Sequence, residues 1–131
     1  MSALYLDASA FVKVVVTEPE SSRLRAFLRR RPERRISSTL LRAEAVRAVG
    51  HLDPDVIRRV RMALRRIDLV GIDDRILERA GTLDPTVLRM LDAIHLSTAL
   101  AIGPDLDAVV TYDERMIEGA ETLGLNTASP R

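Results

Sequence analysis

Ala3-Leu4-Tyr5-Leu6-Asp7-Ala8-Ser9 is the stretch on which the fold turns. An apolar run with no polar alternation predicts a strand buried on both faces, the kind found inside a parallel sheet. The run stops at Asp7. In an open α/β sheet the carboxyl ends of the strands face the crevice where ligands bind, so Asp7 stands where a functional acid would. It is equally placed to cap a helix starting near Ala8.

Downstream, short β-branched or apolar segments alternate with segments of helical period. Ala8 to Val16 predicts a short helix, broken at Thr17-Glu18-Pro19-Glu20; in the next helix Leu24, Phe27 and Leu28 share one face and Arg23, Arg25, Arg29 and Arg30 the other. Arg34 to Ser38 reads as a second strand. Thr39 is the expected cap of a helix over Leu40 to Val49, whose stripe runs through Leu41, Ala45 and Ala48 with Glu44 on it. Asp53-Pro54 opens another helix, with Val56, Val60, Ala63, Leu64 and Ile67 inward. Asp68 to Ile72 is a candidate third strand, and Asp73 caps a helix to about Gly81. Asp84-Pro85-Thr86 starts the most apolar helix, Val87 to Ile102, which places Leu88, Leu91, His95, Ala99 and Ile102 on one face with Asp92 among them. Asp107 to Thr111 is a further strand ending near Asp113, Met116, Ile117, Ala120 and Leu123 line the last helix, and Leu125 to Thr127 reads as an edge strand. This alternation predicts an α/β fold, a three-layer α/β/α sandwich around a central, mainly parallel sheet.

With 131 residues and 47% hydrophobic content, the chain is expected to form a single domain over 1–131. It contains no cysteine, which excludes disulfides, thiolate metal sites and thiol chemistry. The N-terminus has no basic stretch leading into an apolar run, and no window approaches the roughly 18 apolar residues of a membrane span, so a cytoplasmic location away from membranes is expected. Net charge is +1, but Arg23 to Arg66 holds 14 arginines against four acids, a local +10, and the remainder carries −9. Arginine's planar fork suits phosphate, which makes a phosphate-bearing partner plausible; solvated helix faces are the plainer explanation.

Asp7 and Asp113 end strands, while Glu44 and Asp92 lie on inward helix faces. Right-handed crossovers bring such strand ends to one edge, so all four acids are expected to share a crevice. Four carboxylates together raise one another's pKa values unless a cation intervenes. All-oxygen ligation selects Mg²⁺ (or Mn²⁺), and such a site suits phosphodiester hydrolysis. Ser9 is placed to hydrogen-bond a metal water or a phosphate and Thr111 to orient Asp113, although turn and capping roles explain both. Asp113 is also a natural cap for the last helix. His95, one turn beyond Asp92, reads as a packed core residue before it reads as a ligand or proton carrier, and His51 carries no signal.

At this point the residues resemble a known family. Tyr5-Leu6-Asp7-Ala8-Ser9-Ala10 with the following FVK, Ser37 to Ala45 (SSTLLRAEA), Leu91-Asp92-Ala93-Ile94-His95-Leu96 and Val110-Thr111-Tyr112-Asp113 together resemble the PIN-domain ribonucleases, specifically the VapC-type toxin of bacterial VapBC toxin–antitoxin systems. The resemblance implies a PIN-like fold and a metal-dependent endoribonuclease with Asp7, Glu44, Asp92 and Asp113 as its acidic site and Ser9 or Thr111 in support. It implies structured RNA such as tRNA or rRNA as substrate, a homodimer, and a cognate antitoxin (VapB-like) whose C-terminal segment lies in the cleft. Met116 departs from the aromatic or leucine usual after the last acidic motif. The Arg-rich helices would then contact RNA, and 3% aromatic content argues against base stacking as the main mode.

Two other classes compete. A catalytically inactive RNA- or protein-binding module would keep the fold without cleavage. A receiver or aspartyl phosphatase using Asp7 is disfavoured, because no acid stands two residues on and the only lysine, Lys13, is poorly placed for a phosphoryl group.

Overall fold

Ala3–Leu6 forms the middle strand, β1, of a five-stranded sheet in a computed structural model that describes residues 2–84 and 88–131. The other strands are Arg34–Ser38 (β2), Asp68–Val70 (β3), Leu106–Val110 (β4) and Thr127–Ala128 (β5). Their order is β3-β2-β1-β4-β5, and every pair is parallel. The helices are Ala8–Val15 (α1), Ser21–Arg29 (α2), Leu41–Val49 (α3), Pro54–Leu64 (α4), Asp74–Thr82 (α5), Met90–Ile102 (α6) and Glu114–Thr122 (α7).

The pleat of β1 explains the layers. Ala3 and Tyr5 point into one core with Leu96, Ala99, Met116 and Ala120, whereas Leu4 and Leu6 point into the opposite one with Ala10, Leu24 and Leu28. Thus α6 and α7 cover one face and α1 and α2 the other, the expected three-layer sandwich. A third cluster joins Phe11 of α1 to Leu41, Ala45 and Val49 of α3 and Val60 of α4. On the α6 side the layers approach closely at Gly119, where a Cβ would lie 2.8 Å from Leu88 and 2.9 Å from Leu96.

Several boundaries differ from expectation. β3 stops at Val70, not Ile72, because its partner ends at Ser38 and the Val70 carbonyl accepts the Thr39 N–H instead. β4 starts and ends one residue early, at Leu106–Val110, and the edge strand is Thr127–Ala128. Thr39 is not the cap of α3: Leu40 occupies that position without a side-chain bond, and the Ser38 hydroxyl accepts the Leu40 N–H. The buried stripe of α3 is Leu41, Ala45 and Val49, with Ala48 exposed. The expected helix start at Pro85, Thr86 and Val87 lies outside the described residues; α6 is helical from Met90, because Arg89 holds extended backbone. Its buried run, Ala93 to Ala99, is continuous around the helix, while Leu91 is exposed, so a one-sided wheel does not describe it.

Not every arginine of the basic segment is free. The Arg35 guanidinium donates to the carbonyls of Leu28, Arg31 and Glu33 at 2.5, 3.0 and 2.6 Å. It thereby closes the carboxyl end of α2, where the last carbonyls have no helical partner. Arg35→Met should lower stability by about 1–3 kcal/mol through those lost bonds. In urea titrations the midpoint should fall with an unchanged slope; an unchanged midpoint would remove Arg35 from this role.

Candidate active site at the strand reversal

From β1 the chain winds outward on one side to β2 and β3, then returns to β4 on the other side of β1. Connections leaving adjacent strands in opposite directions open a crevice at their carboxyl ends. Asp7 follows β1 directly, and Thr111, Tyr112 and Asp113 follow β4. The two strand-end acids therefore stand on either side of that crevice.

Asp7 is 4% exposed. Its Oδ1 accepts the Ser9 hydroxyl at 2.6 Å and the Ala10 N–H at 3.0 Å, and its Oδ2 accepts the Thr111 hydroxyl at 2.5 Å. The bond from Ala10 makes Asp7 the N-cap of α1. Capping and a site role are thus compatible, because a carboxylate has two oxygens and about four lone-pair sites. Burial pushes the Asp7 pKa up, and the Ser9, Thr111 and Ala10 donors oppose it. Ser9 in turn accepts the Tyr112 N–H at 2.9 Å, and Thr111 accepts the Asp113 N–H at 3.1 Å. Thr111 therefore ties the two strand ends together, orienting the Asp7 carboxylate and the backbone of Asp113. The Ser9 proton is directed at Asp7 and not outward toward a ligand.

Glu44 projects from α3 with its side chain 21% exposed, and its Oε1 lies 2.5 Å from Nε2 of His95. On the far side of the ring, Nδ1 is 2.6 Å from the Tyr5 hydroxyl. Burial raises the Tyr5 pKa, so the hydroxyl keeps its proton within this bond. Tyr5, His95 and Glu44 form one buried chain running from β1 through α6 to α3. His95 is a hydrogen-bonded core residue, as its position suggested, and its partners are the new finding. The signal was present in the sequence: Tyr5 brings the one hydroxyl to an otherwise aliphatic strand, opposite a histidine on an apolar helix.

Asp92 lies in the first turn of α6, not among the apolar residues of a buried face. The late helix start explains the shift, and the amino-terminal end of a helix favours negative charge. It is half-buried; desolvation raises its pKa, and the charge of Asp113 raises it further. Asp113 caps α7 by accepting the Arg115 N–H at 2.9 Å. Three links therefore connect the acids in pairs: Thr111 joins Asp7 to the backbone of Asp113, Asp92 feels the charge of Asp113, and His95 bonds Glu44. Among the described residues, however, no group of three or more His, Asp or Glu side chains is arranged to hold a metal ion by itself.

Comparisons with known proteins agree with this geometry. The family model described as PIN domain matches residues 4–121. Over 130 residues, covering 99% of each chain, the sequence is 48% identical to "Ribonuclease VapC46" of Mycobacterium tuberculosis (strain ATCC 25618 / H37Rv). Among solved structures, Mycobacterium tuberculosis VapC20, titled a sarcin-ricin loop cleaving toxin, has a TM-score of 0.77 at 12% identity, covering 97% of this chain and 99% of that one. A toxin–antitoxin complex from Klebsiella pneumoniae has a TM-score of 0.75 at 23% identity, covering 99% and 98%. With a PIN model spanning nearly the whole sequence and a VapC relative alike from end to end, this chain belongs to the PIN domain family, in its VapC group.

Proposed function

We propose that this chain is an Mg²⁺- or Mn²⁺-dependent endoribonuclease, the toxin of a toxin–antitoxin pair, cleaving structured RNA such as tRNA or rRNA to arrest growth. The observation that carries the reading is a buried acid at the strand reversal, Asp7, gripped by Ser9 and Thr111. Asp113 follows the neighbouring strand end and is tied to Asp7 through Thr111. A relative named a ribonuclease at 48% identity supplies the substrate class.

The donor set fits a hard divalent cation. All four candidate ligands, Asp7, Glu44, Asp92 and Asp113, offer oxygen, and desolvation has left Asp7 and Asp92 reluctant to ionise alone. Among the described residues no three side chains form a ready-made cage, and an ion that keeps several of its waters, as Mg²⁺ does, needs fewer protein ligands. When bound, the ion supplies a water acidified enough to attack phosphorus and charge to stabilise the leaving oxygen. The protein's part is orientation. Ser9 and Thr111 fix the Asp7 carboxylate, His95 holds one oxygen of Glu44, and the Arg115 N–H holds one oxygen of Asp113.

The toxin–antitoxin complex among the structural neighbours supports a cognate antitoxin as partner. A basic side chain from it, inserted among the acids, would neutralise them as a cation does. Homodimer formation is supported by apolar surface on the packed pair α5 and α6, where Leu77, Met90 and Leu91 are 47%, 58% and 47% exposed. That no three acids among the described residues are arranged to hold an ion also favours a second reading, a PIN module that binds RNA without cutting it; chelator would then leave its binding unchanged and no metal would give cleavage.

Asp7→Asn and Asp92→Asn should each lower RNA cleavage by about 100-fold or more; RNA ends mapped with Mg²⁺ or Mn²⁺ present test this, and cleavage equal to the unmodified chain sinks the reading. Stability reports independently. With its folded pKa raised, Asp7 is ionised at a cost above that value, and the cost vanishes where folded and unfolded chains are both protonated. Metal-free Asp7→Asn should therefore melt higher than the unmodified chain near neutral pH, with the gap closing as pH falls toward ~4. Added Mn²⁺ should raise the melting temperature of the unmodified chain more than that of the variant. Tyr5→Phe leaves Nδ1 of His95 buried without its hydrogen-bond partner and should cost about 1–3 kcal/mol. It should also lower cleavage about 10-fold through a less firmly held Glu44. Full activity in Tyr5→Phe would mean that Glu44 needs no such support.

A further inference from the structure

Helices α3 and α4 border a groove of about 970 Å³ on the β3 side of the molecule. Arg42 and Arg47 line one wall, Arg61 and Arg65 the other, over an apolar floor that includes Val46 and Leu64. All four arginines are exposed. Some neighbouring arginines are paired, Arg58 with Asp55, Arg34 with Asp68 and Arg31 with Glu33, whereas Arg59 and Arg66 resemble the groove arginines. Among the described residues, by contrast, no carboxylate or carbonyl accepts from the side chain of Arg42, Arg47, Arg61 or Arg65. Arg61 and Arg65 also stand one helical turn apart, a spacing at which like charges repel. Four unpaired guanidinium groups converging on one groove are matched by a polyanion.

We propose that this groove is a track for the phosphodiester backbone of RNA, separate from the acidic crevice; the proposal rests on the ribonuclease reading for its choice of polyanion. Guanidinium forks bind phosphate oxygens in pairs. No aromatic side chain lines the groove, so it offers no platform for bases and grips RNA without regard to sequence. Its volume exceeds what one phosphate needs and matches a short stretch of strand. A second copy of the chain is a poor occupant, because a two-fold contact would set these arginines against each other.

Helix α3 links the groove to the acids. Arg42, Ala43, Val46 and Arg47 face the groove, while Glu44 points away toward His95, roughly a third of a turn round the helix. A strand held in the groove therefore runs within about one helix diameter, ~10 Å, of the acidic crevice. The same helix would hold the substrate on one side and part of the cutting site on the other.

The test measures binding of a labelled single-stranded RNA of about 30 nucleotides in EDTA, where cleavage is absent, as salt is raised from ~50 to ~200 mM. Arg61→Gln with Arg65→Gln should make the slope of log affinity against log salt shallower by about 1.4, near 0.7 for each lost phosphate contact. Adding Arg42→Gln and Arg47→Gln should bring the reduction to about 2.8. Arg75→Gln with Arg79→Gln, the same charge change placed on α5, should leave the slope within error. A groove pair that matches the unmodified protein, or an α5 pair that lowers the slope equally, overturns the proposal. So does a groove variant that keeps its RNA slope but no longer binds purified antitoxin, since the groove would then belong to that protein. Circular dichroism melting of the double variants separates misfolding from lost contacts. The two readings fail separately: unimpaired cleavage by Asp7→Asn defeats the acids while a shallower groove slope stands, and an unchanged slope with an inactive Asp7→Asn defeats only the groove.

Discussion

A carboxylate buried at the end of the central strand is the constraint around which the rest of the molecule is arranged. Asp7 has almost no contact with solvent, and an isolated charge in such a place is costly. The protein lowers that cost without removing it. One donor comes from the first turn of α1, one from Ser9 beside it, and one from Thr111 at the end of β4. Three donors compensate part of the lost hydration, and the pKa still stands above the ordinary carboxylate range. A residual instability of this kind is one that a bound cation would relieve.

The second acid, Glu44, is held by a different device. Its support is internal to the core: a tyrosine of β1, a histidine of α6 and the carboxylate on α3 form a line of hydrogen bonds spanning three elements. Each member is bonded, so the line adds specificity without leaving a buried polar group unpaired. The two devices share β1, since Tyr5 begins one and Asp7 ends the other. Shifting the strand by one residue would exchange its faces and undo both.

Much of this was legible in the sequence because it follows from local patterns. The unbroken apolar run of β1, the caps at Asp53 and Asp73, and the strand–helix alternation each have one economical interpretation, and the sheet follows from them. What was misjudged depended on tertiary context. The helix over Met90–Ile102 is buried around its circumference from Ala93 to Ala99, and a helical wheel that assigns one inward face misplaces both Leu91 and Asp92. Thr39 has the composition of a cap, but the Ser38 hydroxyl is the one that meets the Leu40 N–H. Thr111 was expected to serve Asp113 alone; only the β1–β4 pairing reveals that its hydroxyl reaches Asp7, 104 residues earlier. Composition could not show that Arg35 is consumed in closing α2, or that Arg31 and Arg34 beside it are paired with Glu33 and Asp68.

The net charge of +1 conceals a separation that bears on how such a protein would meet RNA. Asp7 and Asp113 stand at the strand reversal and exposed arginines line the outer side of α3 and α4, so a nucleic acid approaching the crevice alone would be repelled by these carboxylates. A bound divalent ion would cancel part of that repulsion, but screening at physiological salt confines any such field to about 10 Å. Attraction has to come from charges close to the path of the strand, and the guanidinium groups one helix away would supply it there. Placing the two fields on opposite sides of α3 keeps them from neutralising each other. Ion pairs between them would satisfy the charges and disable both.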